Sequence, residues 1–215
     1  MKNPASWEVY LVTDQPSSKC RSTVEIVQAA VRGGVSVVQL REKHLQTLEF
    51  LEEGRKILAV LRPAGIPLII NDRIDLALAL DADGVHLGRK DMPLSIARKI
   101  LGQGRIIGFS VEESAQINKE SSAYADYFAI SPVFFTSTKD DISAPWGLEG
   151  LKKARSLTHA PLVAIGGVKL ENTREIVAAG ADCVAVVTAI VSAENPETAT
   201  RDLLMEVRSG KIVRK

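Results

Sequence analysis

The chain has 215 residues and a mass of 23.2 kDa, a length that favours one domain spanning residues 1–215. Its 27 Lys and Arg residues nearly balance its 26 Asp and Glu residues, so the net charge of +1 gives no overall attraction to nucleic acid or to an anionic membrane. Hydrophobic residues at 46% and charged residues at 25% exclude a disordered chain, a collagen-like repeat and a coiled coil.

Two kinds of segment alternate along the chain. Short apolar runs rich in Val and Ile predict buried strands at residues 9–13, 35–40, 67–71, 84–87, 105–110, 126–131, 161–165 and 182–187. The segments between them have apolar residues at helical spacing and predict helices at residues 23–32, 48–62, 74–80, 93–101, 112–120, 148–157, 172–179 and 196–207. The second helix is expected to end before Pro63, because proline disrupts a helix interior.

Nearly continuous apolar strands are typical of a parallel sheet whose two faces are both covered. Eight strand and helix units predict closure of that sheet, so the expected fold class is α/β, a (β/α)8 TIM barrel. The alternative is a doubly wound open sheet, but no Gly-x-Gly-x-x-Gly pattern follows the first predicted strand.

The remaining features of the composition point to a reduced protein outside membranes. Cys20 and Cys183 are too few and too far apart for a disulfide framework or a Cys/His metal cluster. No apolar run approaches the roughly 20 residues of a membrane span, and the N-terminal residues do not resemble a signal peptide. A cytoplasmic location, with no membrane or nucleic-acid partner, is therefore expected by default.

The active sites of such barrels lie at the C-terminal ends of the strands, so the residues that follow each strand are the candidates. After the second predicted strand, alternation with a period of two puts Gln39, Arg41 and Lys43 on one side of the chain. One amide and two cations are therefore expected to converge on the mouth of the barrel. Taken alone, Gln39 is equally explained as a polar residue of the barrel interior and Lys43 as a surface cation.

Two carboxylates are expected at neighbouring strand ends. Asn71 and Asp72 follow the third strand, and Asp91 lies shortly after the fourth. Two carboxylates, completed by water and phosphate oxygens, form the ligand set that Mg²⁺ usually takes. Taken singly, each Asp is equally explained as the N-cap of the helix that follows it.

The later strand ends carry groups suited to phosphate. The sixth strand is followed by hydroxyl groups and a cation at residues 136–139, and Ser110 ends the fifth. Gly166 and Gly167 follow the seventh strand, and Val187 and Thr188 follow the eighth, where these barrels often bind phosphate through backbone N–H groups. Each feature is weak alone, but their coincidence at one end of several strands favours a site. His86, within an apolar strand, is predicted to be a core histidine with satisfied hydrogen bonds.

These residues resemble the thiamine-phosphate synthase family. The resemblance runs from about residue 10 to residue 190, and it rests on the order and spacing of several motifs. The motifs are Tyr10-Leu-Val-Thr-Asp14, Gln39-Leu-Arg-Glu-Lys43, Ile70-Asn-Asp-Arg73, Gly84-Val-His-Leu-Gly88 with Asp91, Thr136-x-Thr-Lys139 and Ala164-Ile-Gly-Gly167.

The resemblance implies an enzyme that joins 4-amino-2-methyl-5-hydroxymethylpyrimidine diphosphate to hydroxyethylthiazole phosphate, releasing pyrophosphate and thiamine phosphate. It implies a transferase of thiamine biosynthesis that uses Mg²⁺ and small-molecule substrates, and that is a possible homo-oligomer. The implied pyrimidine-diphosphate residues are Gln39, Arg41, Lys43, Asn71, Ser110 and Lys139, of which Arg41, Lys43, Ser110 and Lys139 are the expected catalytic groups. The implied Mg²⁺ ligands are Asp72 and Asp91, and the implied thiazole-phosphate residues are Thr136, Ser137, Thr138, Gly167, Val187 and Thr188.

The chain departs from the family pattern at a few positions. Ser131 stands where Gly is usual before proline, and Thr188 where Ser is common. Asp140 and Asp141 follow Lys139 and would weaken a positive field if they faced the site. These departures concern the thiazole side more than the reaction.

Two rival hypotheses follow from the same barrel. A related thiazole tautomerase shares the Arg-Glu-Lys and Ile-Asn-Asp-Arg motifs, but it depends on a histidine shortly after the position of Ser110, where this chain has Val111, Glu112 and Glu113. A non-catalytic barrel that binds thiamine phosphate would not require Mg²⁺ ligands. The synthase hypothesis is therefore favoured.

Overall fold

The computed structural model describes residues 3–136 and 144–214. Within them, parallel strands pair in chain order and the last pairs with the first, which closes a barrel. The strands are β1 Val9–Val12, β2 Val37–Leu40, β3 Leu68–Asn71, β4 Gly84–Leu87, β5 Ile106–Val111, β6 Tyr127–Ile130, β7 Leu162–Ile165 and β8 Cys183–Val186. The helices are α1 Thr23–Gly33, α2 Thr47–Ala64, α3 Ile74–Ala79, α4 Leu94–Leu101, α5 Lys119–Tyr124, α6 Gly147–Leu157, α7 Leu170–Ala178, α8 Thr188–Val191 and α9 Pro196–Arg214. The predicted (β/α)8 barrel is confirmed, with strand bounds correct to within two residues.

The strands read as continuous apolar runs because they separate two hydrophobic clusters. In β1, Val9 and Leu11 belong to the cluster between the barrel and its helices, whereas Tyr10 and Val12 belong to the cluster inside the barrel. Successive side chains of a strand point to opposite faces, so both faces of β1 are buried. The inner cluster fills the interior of the barrel, and polar side chains are found at the C-terminal ends of the strands.

The helix ends follow local chemistry. At α1, the Ser22 side chain accepts from the Glu25 backbone N–H while the Glu25 carboxylate accepts from the Ser22 N–H, which satisfies two backbone groups at the start of the helix. Gly34 follows the helix with φ of 93°, a left-handed conformation that glycine adopts without steric cost. The predicted end of this helix at residue 32 is therefore confirmed to within one residue.

The prediction of a fifth helix over residues 112–120 is wrong. The Gln116 side-chain oxygen instead accepts from the backbone N–H groups of Glu112 and Glu113, and residues 114–116 form only one short 3-10 turn. Asn118 then caps a later helix, α5, by accepting from the Ser121 N–H at 3.0 Å. Side-chain hydrogen bonds to the backbone compete with helix formation, and here they move its start by several residues.

Two other helix ends differ from the prediction. Helix α2 continues past Pro63 to Ala64, where the exposed proline occupies the last turn and Gly65, with φ of 69°, ends the helix. Helix α9 continues to Arg214, because Gly210 allows close packing on α7: a Cβ at this position would lie 2.7 Å from the Arg174 carbonyl oxygen. Tertiary packing thus extends a helix beyond its sequence pattern.

Among the described residues, none of the helices combines the length and apolar character that a membrane span requires. The assignment of residues 1–215 to one domain stays a prediction.

Candidate active site

A cavity of about 810 Å³ opens at the C-terminal ends of the strands. Every strand, or the loop directly after it, contributes to the wall. Eleven of the residues predicted for the site line it: Gln39, Arg41, Lys43, Asn71, Asp72, Asp91, Ser110, Thr136, Gly167, Val187 and Thr188. The other three, Ser137, Thr138 and Lys139, lie outside the described residues, as do Asp140 and Asp141.

One side of this cavity, which we call the charged half, consists of Gln39, Arg41, Lys43, Asn71, Asp72 and Asp91 at the ends of β2, β3 and β4. The opposite side, which we call the glycine half, consists of Thr136, Gly166, Gly167, Val187 and Thr188 at the ends of β6, β7 and β8.

Arg41 is held firmly at the edge of the charged half. Its backbone N–H donates to the Thr13 hydroxyl at 3.0 Å, and its guanidinium donates to an Asp14 carboxylate oxygen at 3.0 Å. Asp14 also accepts from the Ser17 hydroxyl at 2.5 Å, so the carboxylate itself is fixed. The Arg41 side chain lines the cavity and is only 17% exposed, so solvent screens its ion pair with Asp14 weakly.

The strand alternation predicted for this segment is observed. Arg41 and Lys43 line the cavity, whereas the intervening Glu42 is buried and accepts from the Gln15 backbone N–H at 3.1 Å. Burial raises the pKa of the Glu42 carboxyl. The carboxylate of Glu42 therefore does not line the cavity beside the two cations.

The two carboxylates of the charged half are neighbours, and neither is an N-cap. The N-cap positions of α3 and α4 are Arg73 and Pro93, and neither cap makes a side-chain capping bond. Asp72 has φ of 59°, and its N–H donates to the His86 carbonyl at 2.9 Å. A carboxylate oxygen of Asp91 accepts from the Gly88 N–H at 2.6 Å. The capping explanation of both residues is thus wrong.

Crowding of these carboxylates changes the ionisation of one of them. The pKa of Asp72 is raised to about 6, mainly by burial and to a smaller extent by the adjacent Asp91 carboxyl. Lys43 and Asn71 act in the opposite direction by favouring the charged form. Two like charges held side by side are stabilised by a cation, so the pair is suited to hold a metal ion.

The ligand set fits a hard divalent cation. The described residues contain no group of three or more His, Cys, Asp or Glu side chains arranged to hold a metal. Two carboxylates, completed by water and phosphate oxygens, match the oxygen coordination of Mg²⁺ rather than the nitrogen and sulfur ligands of zinc.

Backbone geometry dominates the glycine half. Gly166 and Gly167 have φ of 92° and 67°, and a Cβ on Gly167 would lie 2.7 Å from the Phe134 Cβ and 2.8 Å from the Phe135 carbonyl oxygen. Gly167 was expected to allow close approach of a phosphate. The structure adds another reason for glycine here, because it makes room for the chain that leads to Thr136.

The loop after β6 is fastened across the end of β7. The Val133 N–H donates to the Ile165 carbonyl at 2.9 Å, and the Phe134 N–H donates to the Gly166 carbonyl at 3.0 Å. These bonds bring Thr136 beside the two glycines and set the width of the glycine half.

Sequence reasoning missed several residues of the cavity. His86, expected in the core, lines the cavity and lies 2.8 Å from the Ser110 hydroxyl through its Nε2 atom. Tyr10 lines the cavity from below, and Arg89 and Lys90 line its rim. The period of two in β4, which puts His86 on the same face as Gly84 and Gly88, is the signal that would have placed the imidazole inside the barrel.

Comparisons with known proteins agree over most of the chain. The family model described as thiamine monophosphate synthase matches residues 9–190. A thiamine-phosphate synthase of Albidiferax ferrireducens is 50% identical over 188 residues, which cover 87% of this chain and 86% of that protein. A thiamine-phosphate synthase of Chloroflexus aurantiacus is 44% identical over 197 residues, which cover 92% of this chain and 91% of that protein.

A solved structure is similar over nearly the whole chain. A thiamine phosphate pyrophosphorylase from Pyrococcus furiosus matches with a TM-score of 0.88 and 34% sequence identity, covering 96% of this chain and 98% of that one. The sequence and structural similarities therefore extend over the barrel and its mouth together.

Proposed function

The chain belongs to the thiamine monophosphate synthase family, and from that premise we propose how the two halves of its barrel mouth divide the reaction. The enzyme is a transferase that joins the pyrimidine diphosphate to the thiazole phosphate and releases pyrophosphate. The reaction breaks the bond between the pyrimidine methylene carbon and a diphosphate oxygen, and it forms a bond from that carbon to the thiazole nitrogen.

The charged half binds the diphosphate. Arg41 and Lys43 face the cavity from one strand end, and Asp14 fixes the Arg41 guanidinium before any substrate arrives. Charge builds up on the departing pyrophosphate as the bond breaks, and the preorganised Arg41 guanidinium, together with the ammonium group of the exposed Lys43, stabilises that charge more than the ground state. Lys139 is assigned to the same task on its sequence motif alone.

Asp72 and Asp91 hold Mg²⁺ in this proposal. The support is their burial and their proximity, which together raise the pKa of Asp72 and which a bound cation would offset. When bound, Mg²⁺ supplies further neutralisation of the diphosphate oxygens. Asn71 and Lys43 lower the pKa of Asp72 and so favour the ionised form that a metal requires.

The glycine half binds the phosphate of the thiazole. Thr136 and Thr188 offer hydroxyl groups, and Gly166 and Gly167 line the cavity with backbone that no side chain covers. A phosphate that is retained through the reaction does not change its charge, so it needs position more than added positive charge. Fixing it here orients the thiazole nitrogen towards the pyrimidine carbon, which supplies proximity.

The reaction needs no nucleophilic side chain. The electron-rich aminopyrimidine stabilises positive charge on its methylene carbon as pyrophosphate leaves, and the thiazole nitrogen then captures that carbon. Among the described residues of the cavity wall, Arg41 and Lys43 are suited to binding anions, and the lower wall includes the apolar side chains of Val12, Ala129 and Val163.

One observation carries the proposal: cations and paired carboxylates face a glycine-lined wall across a single cavity. The test is to incubate purified protein with both phosphorylated heterocycles, with and without Mg²⁺, and to measure thiamine phosphate and pyrophosphate. We expect equal amounts of the two products only when both substrates are present, and strongly reduced amounts after chelation of the metal.

Other outcomes would overturn the proposal and identify its replacement. Conversion of a carboxythiazole tautomer without condensation would indicate the thiazole tautomerase. Binding of thiamine phosphate without turnover would indicate a non-catalytic barrel. A cytoplasmic location, a homo-oligomer and the lack of nucleic-acid or membrane partners stay predictions from the sequence.

A further inference from the structure

A chain of hydrogen bonds crosses the floor of the cavity from β2 to β5. The Gln39 side-chain nitrogen lies 2.8 Å from the Tyr10 hydroxyl, which lies 3.0 Å from the Tyr127 hydroxyl. The Tyr127 hydroxyl lies 2.9 Å from Nδ1 of His86, and Nε2 of His86 lies 2.8 Å from the Ser110 hydroxyl. Both ends of the chain, Gln39 and Ser110, are predicted pyrimidine-diphosphate residues.

The direction of every bond in this chain follows from its first member. The Gln39 amide nitrogen carries only hydrogens, so it donates to the Tyr10 oxygen. Each phenol hydroxyl carries one hydrogen, so the arrangement that gives every hydroxyl hydrogen an acceptor within the chain has Tyr10 donating to Tyr127 and Tyr127 donating to Nδ1 of His86. Because Nδ1 accepts, a neutral His86 carries its hydrogen on Nε2 and donates it to the Ser110 oxygen.

Packing holds the chain in place. The rings of His86 and Tyr127 stack with centroids 5.6 Å apart, and the Trp7 ring contacts Tyr127 edge-on at 5.2 Å. Gly108 provides the space, since a Cβ there would lie 2.2 Å from the Tyr127 hydroxyl oxygen. Both tyrosines are fully buried, and burial raises the pKa of each well above its usual range, so both keep their hydrogens.

We propose that His86 is a positioning residue, held as the Nε2–H tautomer by Tyr127, so that Ser110 accepts from His86 and directs its own hydrogen at an acceptor atom of the pyrimidine diphosphate. The inference rests on the proposed function only for the identity of that substrate. The tautomer itself follows from the contacts within the barrel. Through this series of hydrogen bonds, the orientation of the buried Gln39 amide determines the direction of the Ser110 hydroxyl in the cavity.

The first test measures the tautomer directly. Protein labelled with ¹⁵N at its three histidines is studied by long-range ¹H–¹⁵N correlation, and His86→Gln assigns the His86 signals against those of His44 and His159. We expect a neutral ring with Nδ1 unprotonated and Nε2 protonated. A ring protonated at Nδ1, or averaging between the tautomers, would overturn the inference, because the chain would then run in the opposite direction or in none.

A matched pair of variants extends this test. Tyr127→Phe removes the hydroxyl group that donates to Nδ1 of His86. The chemical shifts of the two ring nitrogens are then expected to move towards each other. Tyr124→Phe makes the same change on α5, where the Tyr124 carbonyl accepts from Arg98 and the side chain does not line the cavity. We expect no change in the His86 shifts there. Unchanged shifts in Tyr127→Phe would contradict the proposal.

The second test asks whether Tyr127 acts through Ser110. Tyr127→Phe is expected to lower kcat/KM for the pyrimidine diphosphate about tenfold, while KM for the thiazole phosphate changes less than about twofold. In a Ser110→Ala background, Tyr127→Phe should lower this kcat/KM by less than about twofold, because the hydroxyl group that Tyr127 orients is absent. Tyr10→Phe, which interrupts the chain one bond earlier, should behave in the same way.

Additive losses would show that Tyr127 has only a structural role, and they would overturn the inference. Failure of the wild-type protein to form thiamine phosphate would instead refute the proposed function. The histidine spectrum, which needs no substrate, would still decide the tautomer.

Discussion

The charged half and the glycine half of the barrel mouth use different parts of the polypeptide. In the charged half, side chains provide the polar atoms, and they are fixed by other side chains, as Asp14 fixes Arg41 at 3.0 Å. In the glycine half, the absence of a side chain at Gly167 lets the loop after β6 pack across β7. In the proposed reaction, the leaving group, whose charge grows, is therefore met by charged side chains, whereas the retained phosphate is met by backbone shape.

The two halves also differ in the cost of building them. The charged half partly buries two neighbouring carboxylates, and burial together with the adjacent Asp91 raises the pKa of Asp72 to about 6. The described residues of the glycine half show no such crowding of charges, but Gly166 and Gly167 there have positive φ. Variants of the charged half are therefore expected to change turnover and metal dependence, and variants of the glycine half to change substrate affinity.

The largest effect is expected from Arg41→Ala. Loss of a preorganised cation beside the departing pyrophosphate should lower kcat by roughly 100-fold to 1000-fold. Steady-state kinetics measure this, with circular dichroism to verify the fold. Arg32→Ala serves as the control, because Arg32 is exposed and pairs with Glu197 on the outer helices. A loss of less than about tenfold in Arg41→Ala would remove this cation from the leaving-group role.

Next in size are Asp72→Asn and Asp91→Asn. Each should lower turnover and raise the Mg²⁺ concentration for half-maximal activity by about tenfold or more. Loss of a group that only hydrogen-bonds to a metal ligand already has an effect of about this size, and loss of a ligand should have at least the same effect. Both should fold, because Asn tolerates the positive φ of Asp72 and still accepts from the Gly88 N–H at position 91. Without metal, each should melt at the same temperature as the parent or higher. Full activity with unchanged metal dependence would contradict the assignment of these carboxylates as metal ligands.

Lys139→Ala sharpens the boundary between the halves. We expect kcat to fall by about tenfold or more, with little change in binding of the thiazole phosphate, because the partner charge of this cation grows in the transition state. Single-turnover kinetics and calorimetry separate the two quantities. A defect confined to thiazole-phosphate binding would assign Lys139 to the glycine half instead.

Gly167→Val tests the glycine half. A side chain here meets Phe134 and Phe135 and strains a left-handed backbone, so the loop that carries Thr136 must shift. We expect thiazole-phosphate affinity to fall about tenfold while pyrimidine-diphosphate affinity is largely retained, as measured by calorimetry. Equal loss of both affinities would mean that the halves are not independent.

The smallest expected effect is a pH dependence of metal binding. Because the pKa of Asp72 is raised to about 6, this carboxyl is mostly ionised at neutral pH and becomes protonated as the pH falls through that value. Mg²⁺ affinity should therefore fall severalfold between about pH 7 and about pH 5, and less so in Asp72→Asn. Calorimetric titration with Mg²⁺ alone measures it, and an affinity that is constant over this range would contradict the crowding of the carboxylates.

Much of the barrel and its mouth was predictable because both depend on alternation along the chain. A period of two places Arg41 and Lys43 in the cavity and directs Glu42 away from it. The order of strand ends then brings the carboxylates of β3 and β4 together without any knowledge of distances. These features are local in sequence or follow from the order of neighbouring strands.

The missed features depend on groups that are distant in sequence. Tyr10 and Tyr127 are 117 residues apart and become hydrogen-bonded only because the barrel closes. The space for Tyr127 comes from Gly108 on the neighbouring strand, which no periodicity indicates. The shifted start of α5 likewise depends on which side chain, that of Gln116 or Asn118, captures the free backbone groups.

The most direct test of the division between the halves is a crystal structure with thiamine phosphate, pyrophosphate and Mg²⁺ bound together. The pyrophosphate and the metal should lie against Arg41, Asp72 and Asp91, and the phosphate of thiamine phosphate against Gly167 and Thr188. A complex with the two anions exchanged, or with both of them on one side of the cavity, would contradict the account.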